Sequence, residues 1–133
     1  MSNRSYTEIN IHMTWHTKDN LPFISEHLEP DLYAFIKNRV IQDRQSYFHA
    51  IGGIADHVHL AASFFPPFEI DSWIGQMKGA SSFEFGKALS WQHGYGAVSF
   101  GTRDLKWVIN YIHDQKRKAS HRQGLGATRA IPE

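Results

Sequence analysis

The chain has 133 residues, enough for one domain with a real hydrophobic core and too few for two ordinary ones. It contains no cysteine, which excludes a disulfide framework, a thiolate metal site and a thiol nucleophile. The formal charge of +1 conceals a skew: residues 1–102 carry seven Lys or Arg against ten Asp or Glu, residues 103–133 seven against three, so the C-terminal part suits a polyanion, although a merely solvated end has the same composition.

The opening MSNRSYTEIN lacks the apolar core of a secretion signal, and no run reaches the length of a membrane span, so the expectation is a soluble, cytoplasmic protein. EINIHMTWH, residues 8–16, alternates Ile9, Ile11, Met13 and Trp15 with Asn10, His12, Thr14 and His16, the pattern of a half-buried strand. After the turn-like KDNLP, residues 25–44 place Leu28, Leu32, Phe35, Ile36 and Val40 at helical intervals, with Ser25 as a candidate cap and Pro30 in or near the first turn. YFHAIGGIA and HVHLAASFF follow as two short strands that reverse at Ala55 and Asp56. Pro66 and Pro67 end the second of them. Residues 70–89 read as a helix weakened by Gly75 and Gly79, GYGAVSF as a fourth strand, and residues 105–118 as a last helix with Leu105, Val108, Ile109 and Ile112 on one side. This order predicts a single α+β domain over 1–133. Its core is a ferredoxin-like, split βαβ antiparallel sheet with helices on one face, followed by a C-terminal helix and a basic tail from about residue 119.

The most informative chemistry is DHVHLAASF at 56–64. Alternate strand residues share a face, so His57 and His59 project together while Val58 points the other way. Two neutral imidazoles can share a metal ion, or can be ordinary polar residues on an open sheet face; two ligands do not complete a site. In INYIHDQKRK, Tyr111 and Gln115 stand four apart and share one helical face. Gln115 would offer a neutral oxygen suited to Mg²⁺ or Mn²⁺, and a tyrosine beside such a cation can act as a nucleophile on phosphorus. The same two residues also fit a plain surface helix.

Taken together, WHTKDNLPFI at 15–24, GGIADHVHLAASF at 52–64, QMKGASS at 76–82, WQHGYGAVSF at 91–100 and YIHDQ at 111–115 resemble the IS200/IS605-type transposases, single-tyrosine members of the HUH endonuclease superfamily. The resemblance spans residues 15–118. It implies that His57, His59 and Gln115 hold a divalent metal, Mg²⁺ or Mn²⁺, and that Tyr111 is the nucleophile. It implies an ATP-independent enzyme that cleaves and rejoins single-stranded DNA through a 5′-phosphotyrosine, recognises a DNA hairpin, and works as a homodimer with active sites completed in trans. The sequence departs from the family pattern after residue 115, where Gly124 and Gly126 oppose a long regular helix.

Around this core, Lys78, Ser81, Lys106, Lys116, Arg117, Lys118 and Arg122 are candidate DNA contacts, with solvation or helix packing as the alternative for each. Trp91, His93 and Tyr95 are candidate base-stacking residues, packing being the stronger reading for Trp91. Asp56 either turns the chain or orients His57, the turn being preferred; His12, His16, His49 and His113 are given no ligand role. Two other functions fit parts of the pattern: an HUH nuclease of replication or plasmid transfer, and a non-catalytic or domesticated single-stranded nucleic-acid-binding module.

Overall fold

The computed structural model describes residues 6–119; the basic tail, with Arg122, Gly124 and Gly126, lies outside them. Four strands, β1 (Asn10–His16), β2 (Ser46–Ile54), β3 (His57–Phe64) and β4 (Gly96–Phe100), form one sheet in the order β2-β3-β1-β4. Every neighbouring pair is antiparallel. With α1 (Glu29–Gln42) between β1 and β2, and α2 (Ile70–Phe85) between β3 and β4, this is the expected ferredoxin-like arrangement. The last helix, α3 (Leu105–His113), follows β4 through a short 3₁₀ turn.

The alternation read from the sequence sorts the two faces. Met13, Trp15, Val58, Leu60, Ala62 and Phe64 point to one side and build the main core with Leu32, Ile36 and Val40 of α1 and Ile74 and Met77 of α2. The opposite side carries His12, Thr14, His57, His59 and Ala61. There α3 lies across β2 and β3, and buries Val108 and Ile112 against Ala50 and Ala61. Each fully buried aliphatic side chain of this kind contributes about 1.5–3 kcal/mol, so α3 is held by a small but sufficient apolar patch.

Helix limits differ from the sequence expectation for local reasons. Ser25 does cap, but it caps a turn: its Oγ accepts from the Leu28 N–H at 3.0 Å, and the regular helix begins only at Glu29, with Pro30 in its first turn. The second helix stops at Phe85 because Gly86 turns the chain at φ +58°, and a 3₁₀ turn replaces the expected last residues. The last helix breaks at Asp114 and resumes over 115–119.

Two adjacent glycines in β2 admit close backbone contacts, Gly52 with α3 and Gly53 with β3. A Cβ on Gly52 would stand 2.3 Å from the Ile112 carbonyl oxygen, and Gly53, at φ +149°, would put one 2.2 Å from the His57 carbonyl oxygen. The helix backbone therefore rests directly on strand backbone. Gly52→Ala is expected to push α3 off the sheet and destabilise by about 1–3 kcal/mol. Gly75→Ala, in α2 with no atom within 4 Å of the new Cβ, is expected to stabilise by about 1 kcal/mol. Urea midpoints of the two variants check this; equal effects would contradict the close approach at Gly52.

Candidate metal centre and tyrosine site

The histidines enter the site from the centre of the sheet. On β3, His57 pairs across to His16 and His59 to Thr14 of β1, and on the other side His59 pairs with Gly52 of β2. Because Gly52 has no side chain, α3 can descend over His59 and bring Tyr111 and Gln115 with it.

Each histidine has one nitrogen engaged. His57 Nδ1–H donates to Asp56 Oδ1 at 2.8 Å, and this bond is the largest cause holding the Asp56 carboxyl below its usual range. His59 Nδ1 stands 2.8 Å from His12 Nε2 and 3.0 Å from Thr14 Oγ1. The Asp56 carboxylate holds the His57 proton on Nδ1 and frees its Nε2 lone pair; His59 presents its own Nε2 lone pair in the tautomer that donates from Nδ1 to Thr14 Oγ1 or His12 Nε2. Both Nε2 atoms are buried and have no hydrogen-bond partner.

Gln115 supplies the third such atom. At the Asp114 break its side-chain Nε2 donates to the Tyr111 carbonyl at 3.0 Å. That contact fixes the amide orientation, and Oε1 is left buried without a partner. The amide acts directly on His59, where it favours protonation, yet burial dominates, and together with neighbouring His57, His12 and His16 it brings the His59 pKa down to about 2. Burial thus favours the neutral imidazole at His59.

Three buried acceptors without donors would each cost the fold about 1–3 kcal/mol. Two imidazole nitrogens and one amide oxygen are a donor set that a divalent cation satisfies, with coordination positions left open for substrate oxygens. His16, Asp56 and His57 also place ligand atoms within 4.8 Å of one another. Asp56 in that grouping is already engaged by His57 Nδ1, whereas His57 Nε2, His59 Nε2 and Gln115 Oε1 have no partner.

Tyr111 borders the same centre. Its ring meets the edges of His59 and His12, with centroids 5.8 Å away in each case, and stacks on Trp107 at 5.4 Å and 14°. Lys118 Nζ stands 5.0 Å from the ring centroid. All of these groups come together within one chain.

Several expected DNA contacts are engaged elsewhere. Ser81 is fully buried: its Oγ accepts from Trp91 Nε1 at 2.9 Å and donates to the Lys78 carbonyl, so it is a packing residue rather than a phosphate contact. Lys78 Nζ donates to the Gly94 carbonyl at 2.6 Å, and partial burial lowers its pKa. Lys116 pairs with Glu29, Arg117 grips Asp114 through two nitrogens, and Lys118 lies 3.7 Å from the same carboxylate. Lys106 is exposed and makes no ion pair among the described residues. Trp91 packs edge-on against Trp15, as expected, while His93 and Tyr95 line an open cleft of about 550 Å³ beside His16.

The sequence reading missed His12 and Thr14 as partners of His59, and preferred a pure turn role for Asp56, which in fact also orients His57. The shared parity of His12, Thr14 and His16 on β1 was the available signal. His49 is accounted for by Ser63 at 2.6 Å, and His113 is exposed, as expected.

A candidate transposase of Deinococcus radiodurans R1 superposes with a TM-score of 0.67 at 17% identity, covering 86% of this chain and 96% of its own. A REP-associated tyrosine transposase bound to a REP hairpin superposes with a TM-score of 0.64 at 16% identity, covering 91% of this chain and 73% of its own. At these identities the likeness establishes the fold alone. No curated protein matches the chain. The family model described as "Transposase IS200 like" matches residues 5–115, which takes in both histidines, Tyr111 and Gln115, and so the chain belongs to the IS200-like transposase family.

Proposed function

We propose that this transposase cleaves and rejoins single-stranded DNA through a covalent 5′-phosphotyrosine on Tyr111, with Mg²⁺ or Mn²⁺ as its cofactor. The observation that carries the reading is the set of buried, partnerless acceptors on His57, His59 and Gln115 beside Tyr111. When bound, the cation supplies Lewis-acid polarisation of a phosphoryl oxygen.

The chain's own groups do the rest. Asp56 keeps His57, and His12 with Thr14 keeps His59, in the tautomer that presents Nε2. Tyr111 Oη loses its proton as it bonds to phosphorus. The P–O3′ bond breaks, its electron pair leaves with O3′, and that oxygen takes up a proton to become a free 3′-OH. The phosphotyrosine ester retains the bond energy, so attack by an incoming 3′-OH reverses the step and rejoins a strand without ATP.

The family membership and the hairpin seen in one structural neighbour support a hairpin-containing strand as the DNA partner. All four site groups come from one chain, which supports a catalytic unit complete in cis. A homodimer that exchanges α3 would rebuild the same constellation in trans.

Incubating the protein with Mn²⁺ and single strands from the flanks of its own gene is expected to yield a nucleotide adduct on Tyr111, seen by mass spectrometry. Tyr111→Phe should lose the adduct and keep DNA binding within about twofold, since only the attacking oxygen is removed. Binding without any adduct in the wild-type protein would favour a non-catalytic module. Mixing Tyr111→Phe with His57→Ala should restore no cleavage if the site works in cis, whereas recovery would establish trans completion.

The depressed His59 pKa also fixes a sign. The unfolded chain takes up a proton near the ordinary histidine value while the native state does not, so stability is full above about pH 6.5 and falls as pH is lowered. In the metal-free protein this group should contribute a slope approaching about 1.4 kcal/mol per pH unit below that point. Urea midpoints from about pH 7.5 to about pH 5 test it, with His59→Asn expected to flatten the curve.

A further inference from the structure

Helix α3 presents a second stripe beside the one it buries. Val108 and Ile112 face the sheet, while Trp107 and Tyr111, also four apart, stand on the neighbouring stripe and stack ring on ring. Tyr111 is partly covered, but Trp107 is 67% exposed and belongs to neither hydrophobic core. Folding of the described residues gives no reason for a tryptophan there, since among them its outward surface rests on nothing.

That surface borders a groove of about 380 Å³ between β4 and the start of α3, lined by His12, Val98, Phe100, Asp104, Trp107 and Val108. His12 and Val98 are register partners on the open sheet face, and Val98 is half exposed. The groove thus has an apolar floor, an aromatic wall and, at its inner end, His12, which touches both His59 and the Tyr111 ring. Arg103 is exposed but lies 3.9 Å from Asp104, which lines the groove, so the cation left over next to Trp107 in sequence is Lys106, exposed and without an ion pair among the described residues. An unused aromatic face with a neighbouring lysine matches a nucleic-acid strand better than a protein partner.

We infer that this groove is a nucleobase subsite, in which Trp107 stacks on one unpaired base of the strand next to the phosphate that Tyr111 attacks. The inference rests on the proposed single-strand chemistry for its register, although stacking itself needs no cleavage. Because His12 and Trp107 of the lining both touch the Tyr111 ring, a strand with a phosphate at Tyr111 would lie beside the groove, and a base turned inward there would meet the Trp107 face. Stacking would hold the backbone in register over the nucleophile, so Trp107 acts on strand binding and position, with no bond made or broken.

The test uses the full chain and a short oligothymidylate carrying a single 2-aminopurine at successive positions, with binding read by fluorescence quenching and anisotropy. Quenching should peak at one position and vanish in Trp107→Leu, with Kd weakened by roughly 5- to 150-fold, the range set by one base-aromatic stack. Trp107→Phe should recover most of the affinity. Unchanged Kd and quenching in Trp107→Leu would overturn the subsite, as would a wild-type dimer that Trp107→Leu dissociates with no change in Kd. An effect on adduct formation at saturating DNA, with Kd unaltered, would also overturn it and make Trp107 a support for Tyr111 alone. Failure of the cleavage reading shows itself separately, as absence of adduct in a wild-type protein that still quenches.

Discussion

The contact on which the site depends is the one between the Ile112 carbonyl and the backbone of Gly52. Helices usually ride on sheets at side-chain distance, which would hold a helix-borne ligand away from histidines rooted in the sheet. Here a missing Cβ directly opposite His59 lets α3 settle onto the strand, and Gln115 from the helix comes close to the histidines of the sheet. Burial of Val108 and Ile112 supplies the attraction; Gly52 removes the obstacle.

Around this contact the polar groups are arranged so that one side of each is used up. Asp56, His12 and Thr14 engage the Nδ1 atoms, and the Tyr111 carbonyl engages the Gln115 amide nitrogen. What is left over is a set of lone pairs with no donor in the protein. A fold tolerates such atoms when something outside the polypeptide satisfies them, and two imidazole nitrogens with an amide oxygen suit a divalent cation that must also admit phosphate oxygens.

Much of this was legible in the sequence because strand parity is rigid. Alternation fixed His57 and His59 on one face and Met13, Trp15 and Leu60 on the other, and the order of elements led to the antiparallel sheet. Helix spacing related Tyr111 to Gln115. The Asp114 break was not legible: there the Asp114 N–H reaches both the Asn110 and Tyr111 carbonyls and the Gln115 side chain donates to the latter as well, contacts that helical spacing alone does not contain. The roles of His12 and Thr14 depend on cross-strand register, which one strand's sequence does not contain. Ser81 misled because small polar residues serve equally well beside a phosphate and inside a helix-sheet contact; the nearby Trp91 indole decided its role. The positive charges at 116–118 have partners that the sequence did not reveal, Glu29 and Asp114.

The central claim is that the cation sits on the Nε2 side of the two histidines and takes Gln115 as its third protein ligand. Anomalous diffraction at the manganese edge, from crystals grown with Mn²⁺, tests it most directly. The account predicts one strong peak within coordination distance of His57 Nε2, His59 Nε2 and Gln115 Oε1. A peak instead among His16, Asp56 and His57, with Gln115 uninvolved, would contradict it.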